Sequence, residues 1–386
     1  MQPLTLRISN AAFLDRTAEN VTIENGLIVS VLENGTGKSA VELIDLGGLN
    51  LFPGFVDVHN HGAVGVDVNE ADVDGLLKIS AFLARHGVTA WLPTLVPDSD
   101  ENYRLVIGEI EKVMAFQGEM PIAQIVGVHY EGVFANEQMC GALRPEFFKR
   151  FTGGELSELP RLKHGVHMTT FAPEIEGGAE LAAELAAKGW IASIGHTRAD
   201  VAMLDRAFAA GAKHVTHFFN AMTGIHHRDV GVAGWALATD GVTFDIIADG
   251  IHVDCKMFTL AARAKGVENV SLISDSIGPT GLGDGEFQVW GETISVTNGQ
   301  TRNQRGSIAG SVITMADAVR MALENGFLPE EVSKMASANP ARLLGMSDER
   351  GSIVIGKRAD LVAFDANGRI EFVMIGGKTV PLDAVD

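Results

Sequence analysis

His59 and His61, separated only by Asn60, stand at the end of an apolar run, GFVDVHNH (54–61). In an extended strand, residues i and i+2 face one side, so both imidazoles can reach a single metal ion. Other apolar runs end in the same kind of chemistry. Glu131 closes IVGVHYEG (125–132), His196 closes WIASIGHT (190–197), and His217 lies in HVTHFFN (214–220). Imidazole nitrogen plus carboxylate suits Zn²⁺, Fe²⁺ or a similar divalent ion, and ligand type alone does not choose among them. Asp275 ends VSLISDS (270–276), and His252 follows TFDIIADG (243–250). A carboxylate such as Asp275 beside a metal-activated water can take its proton and pass it to a leaving nitrogen. The metal itself brings the pKa of that water from about 15.7 toward about 7. Amide hydrolysis needs both effects, because an amine is a poor leaving group. His129, two residues before Glu131 and deeper in its strand, reads as a core or supporting histidine, and His214 reads as structural.

The elements that must hold these groups recur in a fixed order. Eight apolar runs, the remaining ones being TAWLPTLV (89–96) and GVHMTTFAP (165–173), alternate with segments of helical spacing such as 71–87, 177–189 and 200–211. Repeated strand-then-helix units imply a parallel sheet, and eight of them imply closure into a (β/α)8 barrel of the TIM type. The carboxyl ends of barrel strands converge on one mouth, which is where the candidate residues fall. An open doubly wound sheet is the competing architecture, but no G-x-G-x-x-G or Walker fingerprint follows the first run.

The flanks have a different texture. Residues 4–50 and 351–380 read as short alternating strands, with Asn-Gly pairs at 25–26 and 34–35 marking hairpins. Neither flank could bury a core alone, so both are expected to form one small β-sandwich. The expected division is sandwich in 1–51, barrel in 52–346 and sandwich again in 347–386. The net charge of −19 makes nucleic acid and anionic membranes poor partners. No signal-peptide pattern or spanning apolar run is visible, and Cys140 and Cys255 are too few for a disulfide framework. These features read as a cytoplasmic protein with reduced thiols. An acidic chain that binds a small anion also needs a local basic pocket, and Ile225-His226-His227-Arg228 is a compact candidate.

In order, PGFVDVHNHG, VGVHYEGVF, GHTRAD, HFFNAM, DGIHVD, ISDSIGPTG and AGSVITMADAVR resemble the blocks of the N-acetylglucosamine-6-phosphate deacetylases of the amidohydrolase superfamily. The tail SANPARLLGM…GSIVIGKRADLVAFD resembles that family's return to its sandwich. The resemblance implies a metal-dependent hydrolase of amino sugar catabolism that releases acetate from an N-acetylhexosamine 6-phosphate. It implies metal ligation by Glu131, His196 and His217, with His59 and His61 matching members that hold a second ion. Asp275, also within ligand reach, matches the catalytic acid–base, and His252 matches a histidine near the substrate carbonyl. Ala142, Asn220, Ala221, Asp249 and Ile308-Ala309-Gly310-Ser311 match substrate-binding positions. Arg228 matches an arginine that grips the sugar phosphate across a homodimer interface. The implied cofactor is one or two divalent ions, zinc first and iron second.

Two departures from the family pattern bear on substrate. His129-Tyr130-Glu131-Gly132-Val133 lacks a loop proline, and Gly141-Ala142-Leu143 carries leucine where a substrate-contacting histidine is usual. Leu143 keeps open a deacylase of the same fold for another N-acyl sugar or an N-acyl amino acid. A non-catalytic metal-binding scaffold is the reading from another class, and the presence of Asp275 with all five ligand candidates speaks against it.

Overall fold

The computed structural model describes residues 5–13, 20–32 and 42–383. Eight parallel strands carry the middle of the chain: β1 (Phe55–Asn60), β2 (Val88–Leu95), β3 (Gly127–Phe134), β4 (Val166–Phe171), β5 (Ile191–Ile194), β6 (His214–Val215), β7 (Thr243–Ile247) and β8 (Val270–Ile273). Each pairs in parallel with the next in sequence. A parallel bridge between Asn60 and Ser276, with the Asp275 amide donating to His59 O at 2.9 Å, brings β8 back against β1. The expected barrel and all eight of its strand runs are present.

The sequence reasons for these elements are local. The strands are buried on both faces, as parallel strands covered by helices must be, so they read as apolar runs rather than alternations. Most of the helices between them start on side-chain caps. Asp72 accepts from Gly75 N ahead of the helix Val73–Arg85, and Asp200 accepts from Met203 N ahead of Val201–Ala209. Inside the barrel, Val56, Val58, Ala90, Leu92, Met168, Ile247 and Ile273 pack with Ala341 and Leu344 from the C-terminal helical segment. The end away from the mouth is thereby filled with side chains.

Two further sheets form the expected sandwich from both flanks. One is Leu27–Leu32, Asn20–Glu24, Thr5–Ser9 and Glu42–Asp45. The other joins Ala12–Phe13 and Asn50–Pro53 to Leu361–Phe364, Ile370–Ile375 and Lys378–Thr379. Leu6, Ile8, Val21 and Ile23 of the first sheet meet Leu51, Leu361, Phe372 and Met374 of the second in a separate core. Asn25 (φ +53°) and Gly26 (φ +79°) make the anticipated two-residue hairpin turn. A β-carbon at Gly26 would lie 2.7 Å from Gly376 O, so glycine also permits the two flanks to approach. The Asn-Gly pair at 34–35 lies outside the described residues.

One insertion lies outside the eight strand–helix units. Residues Gly285–Val289, Glu292–Thr297 and Gln300–Arg302 form a three-stranded antiparallel sheet after β8. Val289, Trp290 and Ile294 from this sheet pack with Ala142 and Leu143 of the loop after β3, and with Ala309. The two segments form a roof beside the mouth.

Candidate active site

At the mouth, six side chains converge. The Nε2 atoms of His59 and His61 lie 3.0 Å apart, and those of His196 and His217 are also 3.0 Å apart. Glu131 stands between the pairs. Its Oε1 is 3.0 Å from both His196 and His217 and 3.5 Å from His59, while Oε2 is 3.2 Å from His61. Asp275 Oδ1 lies 3.3 Å from His59 and 3.2 Å from His61. Two groups able to hold a cation result: His59, His61 and Asp275, and Glu131, His196 and His217.

Backbone and supporting groups fix this arrangement. His196 (φ +47°), His217 (φ +32°) and Asp275 (φ +49°) all occupy the left-handed region just beyond their strands. Such a backbone costs a non-glycine residue on the order of 1 kcal/mol or more and persists where the surroundings impose it. For His217 the enforcing group is Asp245 of β7, whose carboxylate accepts from the His217 amide. The same carboxylate meets His214 Nε2 at 3.0 Å, and His214 Nδ1 meets Thr243 Oγ1 at 2.7 Å. His214 therefore supports His217 through Asp245 and does not enter the cluster. His129 lies beneath, its Nε2 2.7 Å from Thr170 Oγ1 and its ring edge-on to His59. Burial first, then the neighbouring histidines, hold its pKa well below the ordinary value.

The ring tautomers point to what the cluster holds. His61 Nδ1 donates to Thr94 O at 3.1 Å and His196 Nδ1 to Met139 O at 2.8 Å. A proton on Nδ1 leaves the Nε2 lone pair aimed at the centre. Those lone pairs face carboxylate oxygens and other ring nitrogens, an arrangement that needs positive charge between them, supplied by protons or by a cation. With protons, burial opposes charge on His61 and His217, but Glu131 and Asp275 raise them to about 10 and about 9. Burial likewise opposes ionisation of Glu131 and Asp275, yet His59 and the other surrounding imidazoles keep both pKa values below the ordinary carboxylate range. Nitrogen and oxygen donors converging this closely, with the second ring nitrogens of His61 and His196 tied to carbonyls, suit a divalent ion.

A cleft of about 410 Å³ opens over the cluster. Of the residues singled out by sequence, His61, Glu131, Ala142, His196, His217, Asn220, Ala221, His252, Asp275, Ile308 and Gly310 line it. His59 lies fully buried beneath. Asp249, expected to meet substrate, holds His252. Its Oδ2 is 2.6 Å from His252 Nδ1, and its Oδ1 accepts from the Ile251 and His252 amides at 2.8 Å. Ala309 and Ser311, also expected at the substrate, are turned inward. Ala309 is fully buried, and the Ser311 hydroxyl donates to Ser274 O at 2.6 Å. Arg228 is exposed and outside this chain's cleft, its Nη1 2.7 Å from His227 Nε2. Gln138, Met139, Trp290 and Ser307 line the cleft without having been anticipated. The Trp290 ring stands edge-to-face with His61 at 5.3 Å. A lone indole in a polar hairpin gave no periodic signal by which to find it.

Residues 50–380 match the model of the amidohydrolase family. The chain belongs to that family. Within it, this amidohydrolase is similar to the N-acetylglucosamine-6-phosphate deacetylase of Bacillus subtilis, with 34% identity over 331 residues covering 85% of this chain and 83% of the relative. It is equally similar to the N-acetylgalactosamine-6-phosphate deacetylase of Escherichia coli O157:H7, at 34% over 330 residues, 85% and 87% of the two chains. Among solved structures, the fold matches a mutant N-acetyl-D-glucosamine-6-phosphate deacetylase from Mycobacterium smegmatis in complex with N-acetyl-D-glucosamine-6-phosphate. The TM-score is 0.88 at 29% identity, over 98% of this chain and all of that one.

Proposed function

We propose that this amidohydrolase removes the acetyl group from an N-acetylhexosamine 6-phosphate, giving acetate and the amino sugar phosphate, within amino sugar catabolism. The observation that carries the reading is the joint presence, at one barrel mouth, of the imidazole–carboxylate cluster and the ionised Asp275, in a chain whose relatives are named for this deacetylation. Bound there, a divalent ion supplies Lewis acidity to the amide carbonyl and a water made nucleophilic at neutral pH. Glu131, His196 and His217 would hold it, with His59, His61 and Asp275 offering a second position; zinc is the first candidate and iron the second.

The remaining work belongs to the chain. Asp275 is ionised and borders the cleft, so Oδ1 or Oδ2 can accept a proton there and return it to the departing nitrogen. His252 Nδ1 is engaged by Asp249, which leaves Nε2 as the ring atom free to meet the substrate carbonyl. Asn220, Ala221, Ala142, Ile308 and Gly310 provide walls for the sugar. The phosphate is assigned to Arg228 from a second copy of the chain, in a homodimer. Exposed Arg228 lies outside its own cleft, and the neighbouring Ile225 and Val230 are exposed apolar residues of the kind a partner covers. The compartment proposed is the cytoplasm.

Acetate release should be measured with N-acetylglucosamine 6-phosphate, N-acetylgalactosamine 6-phosphate and their unphosphorylated forms, before and after chelation. Metal-dependent release restricted to phosphorylated substrates is expected, together with a sharp rise in KM for Arg228→Ala. Release from neither phosphosugar overturns the reading, and activity indifferent to Arg228 directs attention to the unphosphorylated N-acyl compounds that Leu143 keeps in view. Metal content of protein prepared without added metal decides between zinc and iron and between one and two ions.

A further inference from the structure

The loop after β3 reaches across several other strand ends. His196 Nδ1 holds it at Met139 O, Arg144 Nη2 donates to Asp98 at 2.7 Å, and the Lys149 amide returns to Val133 O at 2.8 Å. Its Gly141–Leu143 turn lines the cleft, and so does the Ser307–Gly310 stretch that follows the roof sheet. Both segments have internal supports. Leu143 N donates to Cys140 O at 2.9 Å. Asn303 Oδ1 accepts from the Arg305 and Ser307 amides at 3.1 and 2.9 Å, while Thr301 Oγ1 donates to Gly310 O at 2.6 Å.

Between the two segments, apolar contacts of Ala142 and Leu143 with Val289, Trp290 and Ile294 hold them together without fixing how one is registered on the other. The directional link is Arg305. Its Nη2 donates to Ala142 O at 3.2 Å and Leu143 O at 3.4 Å, and lies 3.4 Å from Glu292 Oε1 of the roof sheet. The two N–H hydrogens of Nη2 are shared among two successive carbonyls and a carboxylate, which ties the turn to the roof sheet at one charged point.

We propose that Arg305 is a positioning residue for substrate: by gripping the Ala142 and Leu143 carbonyls it fixes the Gly141–Leu143 turn against the Ser307–Gly310 wall of the cleft. The proposal rests on the deacetylase reading only for the identity of the substrate. Arg305 touches neither the metal cluster nor Asp275, so its loss acts on binding and leaves the reacting groups in place.

The test compares wild type with Arg305→Ala and Arg305→Lys in two measurements. In the first, amide hydrogen exchange of residues 139–144 is followed in the ligand-free protein, with residues 190–197 as internal reference. Exchange at 139–144 should quicken in Arg305→Ala, stay unchanged at the reference, and slow again in Arg305→Lys. In the second, deacetylation of the N-acetylhexosamine 6-phosphates should show KM raised about five- to tenfold in Arg305→Ala, as for loss of a typical intramolecular hydrogen bond. There kcat should stay within about twofold and metal content should be unchanged, with much of the KM restored by lysine. Unchanged exchange at 139–144 overturns the proposal, as does unchanged KM, or a fall in kcat and metal content that marks general damage. If wild type releases no acetate, the substrate reading fails, while the exchange comparison still decides whether Arg305 holds the turn.

Discussion

At the barrel rim, each chemical group stands at or just beyond the end of an apolar strand, and the fold alone brings it to the mouth. In the roof, residues 137–148 and 285–310 reach the cleft through loops and a small sheet whose course depends on partners distant in sequence, such as Leu143 against Trp290 and Arg305 against Ala142. The rim is specified by strand register, which cannot slip by one residue without turning every side chain to the opposite face. The roof is specified by packing. Reaction type thus belongs to the rim and substrate fit to the roof, and the two should respond differently to substitution.

The largest effect is expected from Glu131→Gln, which replaces the carboxylate shared by both histidine pairs. Metal content and acetate release should fall together, and a variant retaining both would show that the pairs hold metal without it. Asp275→Asn should lower kcat about 10²- to 10⁴-fold, the span of general acid–base catalysis, while retaining most of the metal. Next comes Asp245→Asn. It weakens the grip on the His217 amide and on His214, so metal affinity measured by chelator competition should drop about 10- to 100-fold, as for other groups that orient ligands.

The comparison is sharpened where rim and roof touch. Gly132 directly follows Glu131 with φ +70°, and a β-carbon there would lie 2.3 Å from Leu143 Cδ1. Gly132→Ala should destabilise the fold by about 1–3 kcal/mol in thermal or denaturant unfolding. Leu143→Ala removes the collision but not the backbone strain, so the double variant should lose less than the sum of the two single losses. Additive losses would mean that backbone strain alone accounts for the cost of Gly132→Ala.

The smallest effect concerns pH and lies away from both regions. His167 stacks on Trp190 and accepts from the Leu162 amide through Nε2 at 3.0 Å. Burial, aided by Arg161, lowers its pKa to about 4. The folded protein therefore refuses a proton that the unfolded chain accepts near pH 6.5. This contribution to stability is complete above about pH 6.5 and declines as pH falls toward 4. The stability–pH profile of His167→Gln should be shallower in that window, and an identical slope would assign the acid sensitivity elsewhere.

Much of the rim could be read from sequence for a physical reason. A polar residue at the end of a run otherwise destined for burial is conspicuous, and six of the eight runs end in, or just before, such a residue. Most of their helices also carry explicit caps, and the flanks announce themselves by alternation and by Asn25-Gly26. What could not be read is how a side chain turns once the strand has ended. Asp249 and His252 are three residues apart, yet nothing in that spacing says that the first is committed to the second. The run 214–220 looked like one strand, but pairing stops at Val215 because Asp245 captures the next backbone amides and turns the chain. Trp290 and Ser307 had no periodicity to betray them, and their place at the cleft follows from contacts made only in the folded chain.

The sandwich shared by both flanks has a consequence for how the protein is made. Asn50–Pro53 takes its antiparallel partner from Leu361–Phe364, so one edge of that strand waits while the whole barrel is synthesised. At roughly 5–20 residues per second, the wait is on the order of 15–60 s. Throughout it, the apolar Leu51 and Phe52 of a nascent chain offer an unfinished edge to whatever is near. The strands that close it are made only after the barrel is complete.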